Sequence, residues 1–106
     1  MRILLDECVP RRFRLQLPEF EIHTVPDMGW ASFKNGDLLA VASGKFDVLL
    51  TTDQRLRYQQ KISNYSIALV VLVAKRNKLE SLIPLVPELK KALTHVEPGE
   101  VREVGA

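Results

Sequence analysis

Three short, uniformly apolar runs constrain the fold more than any other feature of this sequence. They span residues 3–5, 48–50 and 67–73. Strands that are covered on both faces have this pattern, whereas strands with one face in water alternate apolar and polar residues. Residues 21–25 do alternate, and they are predicted to form a strand with one less buried face. The runs therefore predict a parallel sheet between two layers of helices.

The segments between these strands have helical patterns. One helix is predicted over residues 10–17, because Pro10 suits a first helical turn and Pro18 stops the helix. A second is predicted over residues 35–43, with Asn35 as its cap. A short helix is predicted after Asp53.

Residues 77–93 predict the last helical region. Asn77 and Glu80 resemble a capping box that precedes apolar residues at helical spacing. Pro84 and Pro87 lie inside this pattern, so it indicates either one kinked helix or two short ones. Residues 101–104 predict a final edge strand. The alternation predicts one domain over residues 1–106, a three-layer α/β/α sandwich with a mostly parallel central sheet and right-handed crossovers.

Composition and length exclude several classes of protein. The chain has 106 residues, of which 46% are hydrophobic and 26% are charged, as in soluble globular domains. No apolar run reaches the roughly 20 residues of a transmembrane helix. Asp6 and Glu7 interrupt the region where a signal peptide would be apolar. Cys8 is the single cysteine, so no internal disulfide can form. These features predict a cytoplasmic protein without a membrane partner.

Acidic residues follow two of the predicted strands. Asp6 and Glu7 follow the first strand, Asp53 follows a later one, and Asp37 lies in the first turn of the helix between them. Ligands bind at the carboxyl ends of the strands in open parallel sheets, so Asp6, Asp37 and Asp53 are expected to meet there. A shared Mg²⁺ or Mn²⁺ would offset the repulsion between carboxylates. Asp6, Asp37 and Asp53 are therefore candidate metal ligands and catalytic residues.

Each acid also has a simpler interpretation. Asp53 is placed to cap the following helix, and Asp37 near a helix start complements the helix dipole. Glu7 is the weakest candidate ligand, because neighbouring side chains diverge at a strand end and only one of the pair needs to face the site.

Basic and aromatic residues near the acids suit a substrate that carries phosphate. The formal net charge is +2, and the cations occur in local groups. Arg55 is a candidate phosphate contact. Lys34 and Asn35 are candidates either to contact the substrate or to orient Asp37, and Asn35 also suits a helix cap. Trp30 either stacks on an unpaired base or covers the helix below it. Phosphodiester hydrolysis is the reaction that uses every effect of a bound divalent ion.

Four segments occur in an order and spacing that resembles the DUF5615 family of small PIN-like proteins. They are residues 1–10 (MRILLDECVP), 29–30 (GW), 34–39 (KNGDLL) and 46–53 (FDVLLTTD). The resemblance extends into the helical region at residues 79–93. It implies a PIN-type α/β/α fold and a metal-dependent ribonuclease, often the toxin of a bacterial toxin–antitoxin pair. By position, Asp6, Asp37 and Asp53 match the acids of the PIN site.

The sequence departs from fuller PIN nucleases after Asp53, where residues 54–58 contain no further acid. One tightly held ion is therefore expected, with a second brought by the substrate phosphate. Two other functions stay open. One is a non-catalytic PIN-like module that binds RNA or protein. The other is a receiver-type signalling domain, which would need a hydroxyl residue and a lysine at later strand ends that are absent here. RNA, an antitoxin and a second copy of the chain are the expected partners.

Overall fold

Five strands form the central sheet of the computed structural model, which describes residues 1–105. They are β1 (Arg2–Leu5), β2 (Glu21–Thr24), β3 (Val48–Thr51), β4 (Ala68–Val73) and β5 (Val101–Gly105). Their order in the sheet is β2-β1-β3-β4-β5, and every neighbouring pair is parallel. The α/β class and the parallel sheet predicted from the apolar runs are confirmed.

Alternate residues of the inner strands point to opposite faces of the sheet. Leu5 and Leu50 lie on what we term the first face, and Leu4 and Leu49 lie on the second face. Four helices connect the strands: α1 (Asn35–Ala42), α2 (Leu56–Gln59), α3 (Leu79–Leu82) and α4 (Val86–His95). A 3-10 segment (Arg11–Gln16), α3 and α4 cover the first face, and α1 and α2 cover the second. The sheet is therefore the middle of three layers.

The segment between β1 and β2 forms a 3-10 helix where an α-helix was expected. Its bonds span three residues, from Phe13 N–H to Pro10 O and from Leu17 N–H to Arg14 O. Pro10 and Pro18 bracket the seven residues of this segment. The segment still buries Phe13 on the first face, so its packing role is the predicted one.

The two predicted side-chain caps are wrong. Both α1 and α3 begin without a side-chain cap, and their N-cap residues are Lys34 and Lys78. Asn35 is the first helical residue of α1, so its side chain cannot reach the first free N–H groups and instead lies 3.5 Å from Gln59 Oε1. Asn77 lies outside α3 by one residue more than a cap requires.

Two helices, rather than one kinked helix, follow β4. A 3-10 turn (Ile83–Leu85) separates α3 from α4, and Pro87 occupies the first turn of α4, where its missing N–H has no cost. Leu89 and Leu93 of α4 are buried on the first face. None of the helices within residues 1–105 has the length and apolar character of a membrane span.

The last two crossovers have opposite hands. The connections from β3 to β4 and from β4 to β5 both advance one strand in the same direction. The former packs α2 on the second face, whereas the latter packs α3 and α4 on the first face. The expectation that every crossover is right-handed is therefore wrong for one of them. If α4 did not pack on the first face, the 3-10 segment would have to cover most of that face. Burial of Leu89 and Leu93 therefore favours the observed connection from β4 to β5.

We predict that Leu49→Ala lowers the free energy of unfolding by about 2–5 kcal/mol, because it leaves a cavity at the centre of a fully buried strand. Leu15→Ala is the matched control. Leu15 is 66% exposed, so its truncation should change stability by less than about 0.5 kcal/mol. Urea unfolding followed by circular dichroism measures both. Equal stabilities for the two variants would contradict the three-layer packing.

Candidate active site at the carboxyl ends of β1 and β3

The crevice of this sheet lies at the carboxyl ends of β1 and β3. These strands are neighbours, but the chain leaves β1 over the first face and leaves β3 over the second. Connections that diverge in this way open the crevice where ligands of parallel sheets bind. Asp6 directly follows β1, and its N–H donates to Leu50 O at 2.9 Å. Asp53 follows β3 by two residues. The fold therefore places both acids on the same rim.

One buried hydroxyl joins the two acidic loops. Thr51 is fully buried, and its Oγ1 donates to Asp6 Oδ2 at 2.8 Å and accepts the N–H of Asp53 at 3.0 Å. The N–H of Glu7 donates to Asp6 Oδ1 at 2.9 Å. Both carboxylate oxygens of Asp6 thus have donors, which fixes the orientation of the group.

The thiol of Cys8 lies within the same contact. Its Sγ is 3.3 Å from Thr51 Oγ1 and 3.7 Å from Asp6 Oδ2, and it accepts the N–H of Thr52 at 3.4 Å. We term Asp6, Cys8 and Thr51 the rim triad. Sequence reasoning missed Thr51 and the polar contacts of Cys8. The sequence did contain a signal for Thr51: a hydroxyl at the end of a strand that is buried on both faces needs a hydrogen-bond partner.

Asp53 closes a turn ahead of α2. Its Oδ1 accepts the N–H of Arg55 at 2.9 Å and lies 3.6 Å from Arg55 Nε. Asp53 is therefore not the helix cap that the sequence predicted, because α2 begins at Leu56 and its N-cap residue is Arg55. Within residues 1–105 no hydrogen bond reaches Asp53 Oδ2. That oxygen is therefore available to a ligand.

The two acids open into different cavities. Asp6 lines a cavity of about 220 Å³ together with Glu7, Arg11 and Thr24. Asp53 lines a cavity of about 400 Å³ whose other lining residues are Cys8, Thr52, Gln54, Arg55 and Asn77. We call these the Asp6 cavity and the Asp53 cavity. The rim triad contributes Asp6 to the former and Cys8 to the latter, so the cavities are adjacent.

The cation of the Asp6 cavity is already paired. Arg11 lies 3.3 Å from Asp27 Oδ1. A hydrogen bond with Thr24 and, more weakly, the charge of Arg11 hold the pKa of Asp27 below its ordinary value, so Asp27 is ionised at neutral pH. The cation of the Asp53 cavity is paired too, because Arg55 lies 3.6 Å from Asp53. Asn77, which lines that cavity, has exposed cations on either side of it in the sequence: Lys75, Arg76 and Lys78.

The third predicted ligand, Asp37, is exposed in the first turn of α1. Residues 1–105 contain no group of three His, Cys, Asp or Glu side chains that could hold a metal ion. The strand order places Asp6 and Asp53 at one rim of the sheet, and Glu7 borders the Asp6 cavity.

The predicted substrate contacts are spread over several places. Arg55 shares a cavity with Asp53, and Lys34 is exposed at the start of α1. Trp30 stacks on Phe33 and packs edge-on against Phe46, with Lys45 Nζ 5.6 Å from the indole. Lys45 and Phe46 precede β3, at the amino end of the sheet. The indole therefore covers the second face away from the acidic rim.

Comparison of the chain with protein-family models, with curated proteins and with solved structures gives no match. The family resemblance in the sequence stays an expectation. Function is therefore argued from the residues of the rim.

We predict that Thr51→Val lowers the free energy of unfolding by about 1–3 kcal/mol, because Asp6 Oδ2 and the N–H of Asp53 both lose a buried partner. Valine keeps the shape of the side chain and removes the hydroxyl. Thr51→Ser keeps the hydroxyl and should retain most of that contribution. Urea unfolding of the three proteins measures the difference. A valine variant as stable as the parent would show that the hydroxyl does not join the loops.

Proposed function

We propose that this protein is a metal-dependent phosphodiester hydrolase that cuts RNA and has a PIN-like fold. The observation that carries the proposal is the hydrogen-bonded link between Asp6 and Asp53 through Thr51, at the crevice of a parallel sheet. Two carboxylates at a crevice are costly unless a cation or a positively charged group offsets them. The positions of the acidic residues in the sequence predict the same function.

The donors at the rim fit a hard divalent cation. Carboxylate oxygens come from Asp6 and Asp53, and the free Oδ2 of Asp53 has no competing hydrogen bond in the described chain. Mg²⁺ is commonly held by one or two carboxylates together with water and substrate phosphate, so a third protein acid is not required. When bound, Mg²⁺ or Mn²⁺ would lower the pKa of a water nucleophile and neutralise charge on the leaving oxygen.

Residues around the two acids hold these acids in position and supply positive charge for a phosphate. Thr51 sets the separation of the two loops, and the Glu7 N–H fixes the other oxygen of Asp6. Arg55, 82% exposed in its side chain, can turn from Asp53 toward a phosphate that enters the Asp53 cavity. The cations of the loop after β4 extend this positive edge, which suits a polyanionic strand longer than one nucleotide.

We predict that Asp6→Asn and Asp53→Asn each reduce Mn²⁺-dependent RNA cleavage by about a hundredfold or more, since each removes a charged ligand worth several kcal/mol in the transition state. The assay follows a labelled single-stranded RNA with added Mn²⁺ and with excess chelator. Isothermal titration calorimetry with Mn²⁺ alone gives a readout that is independent of turnover, and both variants should bind the ion more weakly.

Asp47→Asn is the matched control. Asp47 directly precedes β3 and so lies at the opposite end of the strand from Asp53, where its Oδ2 accepts the N–H of Arg2. This variant makes the same chemical change and should keep cleavage within about twofold of the parent. Cleavage that survives Asp6→Asn or chelation would show that the activity does not come from this rim.

The second candidate is a non-catalytic module that binds RNA or protein. One observation favours it: residues 1–105 contain no group of three His, Cys, Asp or Glu side chains that could hold a metal ion. RNA binding without turnover under any divalent ion, retained in Asp6→Asn, would select this function over the hydrolase. The toxin role and its antitoxin, which the family resemblance implies, belong to the hydrolase proposal and depend on its activity.

A further inference from the structure

The outer edge of β2 carries unpaired backbone groups. β2 is an edge strand, and on its inner side the N–H groups of Glu21 and Val25 donate to Met1 O and Leu5 O at 3.2 and 3.0 Å. Backbone groups alternate sides along a strand, so those of Ile22 point away from β1. The same holds for the N–H of Thr24. Within residues 1–105 none of these outward groups has a backbone partner.

We propose that β2 pairs antiparallel with β2 of a second copy of this chain, which joins two five-stranded sheets into one of ten strands. In the register that centres on Ile22, this residue lies opposite Ile22 of the copy, and the two exchange a pair of N–H···O bonds. The N–H of Thr24 then faces the carbonyl of Phe20 of the copy. The bonds of Ile22 and the one from Thr24 use groups without a backbone partner in the single chain, whereas the reciprocal bond from the Phe20 N–H would replace its present bond to Leu17 O at 3.2 Å.

The charges on β2 are complementary in this register. Glu21 lies opposite His23 of the copy, and both side chains are on the second face. Arg2 Nε donates to Glu21 Oε2 at 2.6 Å, and this bond, followed by that of His23 at 3.0 Å, lowers the pKa of Glu21 below its ordinary value. Each Glu21 is therefore an anion that faces an imidazole donor across the two-fold axis.

The apolar side chains of β2 also match. Ile22 and Phe20 point to the first face and are only partly buried in the single chain. Pairing would place Ile22 against its copy and Phe20 beside Thr24 of the copy. β2 also lacks the lysine, proline and bulge with which proteins commonly block edge strands.

At the other edge of the sheet, charge disfavours the register that uses the whole of β5. That register places Glu103 opposite itself, and a shift of its centre by one residue places either Arg102 or Val104 opposite itself. Like charges directly opposite each other destabilise a strand pair. The Ile22 register of β2 has no such pair, which is why we assign the second copy to β2.

The pairing would also place part of the second copy beside the Asp6 cavity. Thr24 lines the Asp6 cavity, and the antiparallel register places Phe20 of the copy next to it. The dimer would then narrow the entrance of the Asp6 cavity and leave the Asp53 cavity open. This inference rests on the sheet edge and does not require the chain to be a hydrolase.

We expect the parent chain to sediment at twice its 12.0 kDa mass at high concentration in the presence of reductant, which excludes a disulfide through Cys8. His23→Glu places two carboxylates opposite each other and should raise the dissociation constant about tenfold or more. His23→Lys is the matched control, because it also removes the imidazole but places a hydrogen-bond donor and a positive charge opposite Glu21. Its dissociation constant should stay within about threefold of the parent value.

Hydrogen exchange of the parent chain gives a test that needs no variant. The amides of Ile22 and Thr24 should become protected as the dimer forms, whereas those of Glu21 and Val25, bonded to β1, should be protected at every concentration. A protein of 12.0 kDa at all concentrations would overturn the proposal. A dimer whose dissociation constant is unchanged by His23→Glu would also overturn it. So would a dimer in which the Ile22 amide is not protected from exchange.

Discussion

The hydroxyl of Thr51 is the contact on which the acidic rim depends. It lies at the end of a strand buried on both faces, where an unpartnered hydroxyl would cost about 1–3 kcal/mol. Its two partners come from different loops, the carboxylate of Asp6 and the N–H of Asp53. Satisfying one buried oxygen therefore ties the Asp6 carboxylate to the backbone of the loop that carries Asp53. The thiol of Cys8 fills the remaining space beside this contact.

Each cavity at the rim holds an arginine that is paired with an acid. Arg11 of the Asp6 cavity lies 3.3 Å from Asp27, whereas Arg55 of the Asp53 cavity lies 3.6 Å from Asp53 itself. In the proposed hydrolase, a cation held by Asp53 would compete with Arg55 for that carboxylate. The proposed pairing of β2 strands narrows the Asp6 cavity alone and leaves the Asp53 cavity open.

Most of the fold could be predicted because its strands are buried on both faces. Such strands are unbroken apolar runs, and each predicted run became a strand to within one or two residues. Helix starts were less predictable, since Asn35 and Asn77 each fit a capping pattern that the backbone does not use. A cap contributes only about 1 kcal/mol, which the packing of Leu38 and Leu82 into the core outweighs.

The sequence by itself determined that the sheet is parallel and that Asp6 and Asp53 follow buried strands, because both properties are local patterns of apolar and acidic residues. The tertiary structure decided that these strands are neighbours and that Thr51 joins their loops. It also decided which face α4 covers and that β2 and β5 form the two edges of the sheet. The physical reason is that strand order and helix placement depend on how all of the elements together bury their apolar surface. The pattern of a single segment does not contain that information.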